Sequence, residues 1–202
     1  MIVPFYRPWI LDEDITRTTA ILRSGWLTSG PFCEDVETEL RRLTGAKHAL
    51  VMSSCTAALH AAVAHHKPKS HELIIVPDFT FAATATAVVN AGAVPLLCDV
   101  DPGNGGLNPE EVRVLLETAN VVGIVAVHYA GIPCDIDSLR QIADHYGVFL
   151  IEDAAHALGS THPDGTKVGV ASQNGTALSF YATKNATSGE GGALLTDDDE
   201  LA

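Results

Sequence analysis

The sequence predicts an α/β fold in which helices cover both faces of a mostly parallel, seven-stranded sheet. Two observations carry this. Apolar, β-rich segments alternate with helical ones through most of the chain, the pattern of repeated strand-helix units. Most of the strand candidates are nearly continuous apolar runs, as strands buried on both faces require. At 202 residues the chain has room for one well-buried core.

Taken in order, Asp12 can cap a helix that stops at Gly25. Phe32, Val36 and Leu40 recur every four residues in a second helix, which Gly45 ends. A first strand, His48 to Ser53, runs into an Ala-rich helix, and strands follow at Leu73 to Pro77 and Val94 to Val100. Asn108-Pro109-Glu110-Glu111 supplies a cap, a first-turn proline and two acids that complement a helix dipole. A strand from Val121 to His128 precedes a helix opened by Asp135, with Ile136, Leu139 and Ile142 on its apolar face and Gly147 as its stop. The last strands are Val148 to Glu152, Thr176 to Tyr181 and Ala193 to Thr196. Residues 156–174 read as a Gly- and Thr-containing loop, and Asp197 to Glu200 as a solvated acidic turn or helix start.

Composition excludes several function classes. Apolar residues make up 47% and charged residues 18%, with no apolar run near the roughly 20 residues of a membrane helix. The opening Met1 to Pro8 carries prolines and an arginine where a secretory leader needs an apolar stretch, so a cytoplasmic protein is expected. A net charge of -13 opposes a broad nucleic-acid surface. Cys33, Cys55, Cys98 and Cys134 form no CxxC pair, which favours reduced core thiols over zinc or disulfides. His65, His66 and His71 fall where a helix runs out, and read as a solvated helix end rather than a metal site; no metal is expected.

Three segments carry chemistry. In the first, Val51 to His60, a buried strand ends in small polar residues and enters a helix. Free N–H groups there, with the Ser54 and Thr56 hydroxyls, suit an anion; taken alone, the segment is better read as an ordinary helix cap. In the second, Val148 to Gly159, Glu152 and Asp153 end an apolar strand and point to opposite faces, so only one meets a given ligand. A buried carboxylate needs a cation or a turn to cap, and a pyridinium is such a cation. In the third, Leu178 to Gly192, a strand ends in a loop with three glycines and one amine, Lys184. Ligands of open α/β sheets collect at such strand ends. A phosphate cradle, a carboxylate for a ring nitrogen and an amine for a Schiff base together describe pyridoxal phosphate (PLP).

Five motifs extend this reading. They are Ser24-Gly-Trp-Leu-Thr-Ser-Gly-Pro31, Ser54-Cys-Thr-Ala-Ala-Leu-His60, Pro77-Asp-Phe-Thr-Phe-Ala-Ala-Thr-Ala85, Glu152-Asp-Ala-Ala-His-Ala-Leu-Gly159, and Ser179-Phe-Tyr-Ala-Thr-Lys-Asn with Gly189-Glu-Gly-Gly192. In that order they resemble the DegT/DnrJ/EryC1/StrS family of PLP-dependent sugar aminotransferases. The resemblance implies a PLP fold type I, aspartate aminotransferase-like large domain: a three-layer αβα sandwich whose last strand is antiparallel. It covers residues 1–202 as one large domain, with an N-terminal helical segment to about residue 45, and the family's C-terminal small domain absent. It also implies a cytoplasmic homodimer that moves an amino group from an amino acid, glutamate by analogy, to a keto nucleotide sugar in polysaccharide biosynthesis.

By the same resemblance Thr56 and Ala57 hold the cofactor phosphate, which Ser179 touches, and Ser54 and Cys55 are counted with them as cofactor-binding. Phe81 stacks on the ring, although core packing is the simpler reading of that residue alone. Asp153 pairs with the ring nitrogen, His156 sits near the ring oxygen where many relatives carry Gln, and Lys184 forms the Schiff base. Thr28 and Ser29 of the first motif are expected at the substrate. Two alternatives stand beside this: a catalytically silent PLP-binding or dimerising module, and a dinucleotide-binding protein. The latter lacks its GxGxxG after the first strand. A dehydratase subgroup carries His in place of the Schiff-base lysine, and Lys184 argues against it.

Overall fold

The computed structural model describes residues 3–4, 6–170 and 173–202. Met1, Ile2 and Phe5, on which part of the leader argument rests, and residues 171 and 172 of the long loop lie outside the described residues. In chain order the elements are α1 (Asp12–Ser24), α2 (Pro31–Thr44), β1 (His48–Met52), α3 (Cys55–His65), β2 (Leu73–Pro77), α4 (Ala83–Asn90) and β3 (Val94–Cys98). They continue with α5 (Pro109–Thr118), β4 (Val121–Val127), α6 (Ile136–Tyr146), β5 (Phe149–Asp153), β6 (Thr176–Ser179) and β7 (Gly192–Thr196).

All seven strands form one sheet in the order β1-β7-β6-β5-β4-β2-β3. Only β7 is reversed: it pairs antiparallel with β1 and β6, and every other pair is parallel. The C-terminal ends of the other six strands therefore share one rim. Pro95 lies in β3 at the sheet edge, where a residue without an N–H leaves a ladder intact.

Alternation along the strands divides the core. Ile151, Ala177 and Leu194 face α3 and α4, packing on Leu59, Ala62 and Val88. Ile124 and Leu150 face the opposite layer, meeting Val112 of α5 and Leu139 and Ile142 of α6. Leu40 of α2 covers Leu178 and Leu195. The result is the expected three-layer sandwich.

Helix ends follow sequence chemistry. The Asn108 side chain accepts from Glu110 N–H at 3.0 Å and Asp135 from Ser138 N–H at 3.2 Å, while Gly25, Gly45 and Gly147 end helices in the left-handed conformation.

Several boundaries differ from expectation. Asp12 is the first helical residue; Leu11 occupies the cap, and its N–H donates to Asp14 at 2.8 Å. β5 is displaced by one residue and includes Asp153, whereas Val100 and Tyr181 form only isolated bridges, with Leu107 and Gly189. α4 escapes sequence reading altogether. Cys33 is half-buried, unlike the other three thiols, and all four are free. The histidines are not simply solvated: His65 reaches Asp198 at 3.6 Å, and His66 stacks on Phe149 at 4.1 Å. The acidic turn is tied down too, since Asp199 pairs with Lys47 and His48, each at 2.6 Å, across the β1–β7 edge. Among the described residues no helix is long and apolar enough to cross a membrane.

Gly192 sets how closely α3 approaches the sheet. A methyl group there would collide with the backbone of Ser54 and Cys55 and lie 2.7 Å from the Leu178 carbonyl oxygen. These are backbone atoms and cannot swing aside. Gly192→Ala is expected to cost at least about 1–3 kcal/mol, read as a lower urea midpoint; an unchanged midpoint would show that α3 does not depend on this contact.

Candidate functional site

Where the parallel strands end, a cavity of about 690 Å³ opens, within the range of small-molecule sites. Ser54, Cys55 and Thr56 after β1, Thr80 and Phe81 after β2, Asp153 of β5, His156 beyond it, Ser179 of β6 and Lys184 all line it. The three chemical segments, well separated in sequence, thus meet at one rim.

The first turn of α3 forms one wall. Ser54 is its cap, accepting from Ala57 N–H at 3.1 Å. Ala57 does not line the cavity, and its N–H is spent on that cap. The amides of Cys55 and Thr56 open the helix and have no acceptor within it, and the Ser54 hydroxyl proton remains free to donate. The anion-binding groups are therefore Cys55 N–H, Thr56 N–H and nearby hydroxyls, at the positive end of a helix dipole.

Asp153 is 5% exposed. Its Oδ1 accepts from Ala155 N–H at 3.1 Å, with the Cys55 thiol at 3.9 Å, and its Oδ2 accepts from the Thr84 hydroxyl at 2.8 Å. It thus both caps the following turn and faces the cavity. Glu152, one residue earlier, points to the other face. There it meets His128 at 2.9 Å and Arg140 at 3.4 Å, while Cys134 N–H donates to the second ring nitrogen of His128 at 3.2 Å. The proton of a neutral His128 then sits on Nε2 and is donated to Glu152.

Lys184 is half-buried, and burial pulls its ammonium below the ordinary 10.5, against the field of Asp153. More of it is neutral, and hence nucleophilic, than of a solvated lysine. Burial, and secondarily the Lys184 charge, also lower His156. Ala130 N–H donates to His156 Nδ1 at 3.2 Å, so a neutral His156 carries its proton on Nε2 as a donor. Ala130 makes that contact from a left-handed conformation, φ 52°, strain on the order of 1 kcal/mol that its surroundings must hold in place. Burial, reinforced by Asp153, keeps Cys55 a thiol by raising it above its usual range.

Phe81 is 79% exposed at the mouth, which overturns core packing as the reason for an aromatic there. Thr28 and Ser29 lie exposed between α1 and α2 and do not line the cavity. Sequence reasoning passed over Thr80, Thr84, His128 and Tyr129. The first two sit four residues apart inside a quoted motif, a helical spacing that pairs side chains. No group of three or more possible metal ligands occurs among the described residues.

Residues 8–202 match the model of the DegT/DnrJ/EryC1/StrS aminotransferase family. The spore coat polysaccharide biosynthesis protein SpsC of Bacillus subtilis is 38% identical over 200 residues, 99% of this chain and 51% of that protein. Helicobacter pylori PseC, an aminotransferase involved in pseudoaminic acid biosynthesis, superimposes with TM-score 0.89 at 30% identity, over 98% of this chain and 53% of its own. Bacillus subtilis NtdA, solved with bound cofactor PMP, gives TM-score 0.83 at 32% identity, over 94% of this chain and 42% of its own. The chain spans about half the length of the curated relatives it matches.

The depressed Lys184 ammonium is directly measurable. Competitive acylation across pH should place its titration midpoint below 10.5. Asp153→Asn removes the principal opposing field and should lower the midpoint further; an upward move would contradict the electrostatic reading.

Proposed function

The chain belongs to the DegT/DnrJ/EryC1/StrS aminotransferase family, and on that premise we propose that it is the PLP-binding large domain of an aminotransferase that aminates a keto nucleotide sugar. The amino donor is an amino acid, glutamate first among the candidates. One observation carries the reading: an amine, a buried acid and an open helix turn share a single cavity.

The donor set fits PLP group by group. Cys55 N–H, Thr56 N–H and the hydroxyls of Ser54, Thr56 and Ser179 would take the phosphate. Asp153 would take the ring nitrogen, the Nε2–H of His156 the ring oxygen, and the exposed face of Phe81 the ring. When bound, the cofactor supplies an electron-withdrawing ring that labilises the Cα–H of an amino acid. Asp153 holds a proton on the ring nitrogen and so sustains that pull. Lys184 tethers the cofactor at rest and, once released as a neutral amine, takes and returns the proton at the substrate Cα.

An apolar N-terminal surface supports association with a second copy. α1 buries no residue, and Trp9, Ile10, Trp26 and Leu27 around it are more than half exposed.

Adding PLP to the chain, reducing with borohydride and mapping the modified peptide should place the label on Lys184, and Lys184→Ala should abolish it. Label at another lysine, or none, contradicts the proposal. Glutamate should then change the absorbance of the unreduced protein, and loss of the Lys184 base should slow that change by about 10²–10⁴-fold. A label on Lys184 with no response to glutamate would leave only the binding half standing.

A further inference from the structure

Thr84 is fully buried, at 0% exposure, yet it is polar and takes no part in the cofactor contacts assigned above. Its hydroxyl lies 2.8 Å from Asp153 Oδ2 and 2.8 Å from the Thr80 hydroxyl. Direction follows from proton counting. A carboxylate only accepts, so the single proton of Thr84 goes to Asp153, and Thr80 must be the donor to Thr84. The three groups form a one-way chain from the cavity wall to the acid.

The other carboxylate oxygen is held separately, by Ala155 N–H at 3.1 Å. Donors on both oxygens, arriving from different elements, stop rotation about the Cβ–Cγ bond. Without Thr84 the Oδ2 end could turn. The carboxylate would keep its place on β5 but lose the orientation of its remaining lone pair.

We propose that Thr84, backed by Thr80, is a positioning residue that aims the Asp153 carboxylate at the ring nitrogen of the cofactor. The inference rests on the PLP reading above. Thr84 touches no reacting atom; it acts only through Asp153. The helix that carries it, α4, begins one residue earlier, so the turn after β2 delivers the aromatic at the mouth and the first turn of α4 the hydroxyl behind the acid.

The test compares affinities of the full chain for PLP and for its 1-deaza analogue, in which carbon replaces the ring nitrogen, by fluorescence titration. Thr84→Val, which keeps the shape and removes the hydroxyl, should weaken PLP binding about tenfold, as expected for a lost hydrogen bond to a charged group. It should leave the analogue within about twofold of wild type, and Thr84→Ser should restore PLP affinity. Thr80→Val, at a half-buried position outside the core, should show the same selectivity more weakly. Equal losses for both ligands would reduce Thr84 to a packing role and overturn the proposal, as would unchanged PLP affinity in both valine variants. Should Thr84→Val fail to fold, Thr80→Val and Thr84→Ser decide alone. Wild-type protein that binds neither ligand would instead bring down the PLP reading itself, and this inference with it.

Discussion

A carboxylate removed from water costs several kcal/mol unless donors or a cation replace the lost solvation, and the burial of Asp153 at the end of a central strand imposes that demand here. Around it the fold assembles an amide from the next turn, a hydroxyl from α4, a thiol from α3 and, across the cavity, the Lys184 amine. None of these groups is near another in sequence. They converge because parallel strands end at one rim, and because Gly192 lets the start of α3 press against β7.

Adjacent acids serve opposite layers. The strand period sends Glu152 toward α6, where His128 and Arg140 hold its two oxygens, and Asp153 toward α3 and α4. The Glu152 network clamps the end of β4 to β5, helped by the His128 N–H bonded to the Asp153 carbonyl at 3.1 Å. One carboxylate is thereby fully occupied within the protein, while its neighbour keeps an edge open to the cavity.

Much of this was legible in the residues, and the misses have physical causes. The central strands stood out because burial on both faces leaves apolar runs, and the edge strand β3 stood out by its apolar composition although Val94 and Leu97 are exposed; β7 was visible but lost its glycine start, since Gly192 is chosen for approach rather than strand propensity. The opposite facing of Glu152 and Asp153 followed from alternation alone. α4 was hidden because Ala-Thr-Ala-Thr-Ala-Val-Val alternates small and β-branched residues, a strand-like period with no side-chain cap. Thr84 vanished with it. His66 and the acidic turn looked solvated because their partners, Phe149 and Lys47, lie far away in sequence. Thr28 and Ser29 were named from a motif, and no packing argument ties their loop to the cavity.

The central claim is that a single ligand bridges Lys184, Asp153 and the first turn of α3. A crystal structure of the chain grown with PLP tests it most directly. The account predicts continuous density from the Lys184 side chain, the ring nitrogen against Asp153 Oδ2 and the phosphate on the Cys55 and Thr56 amides. Ordered PLP at any other place on the protein, or one bound with its phosphate turned away from α3, would contradict it.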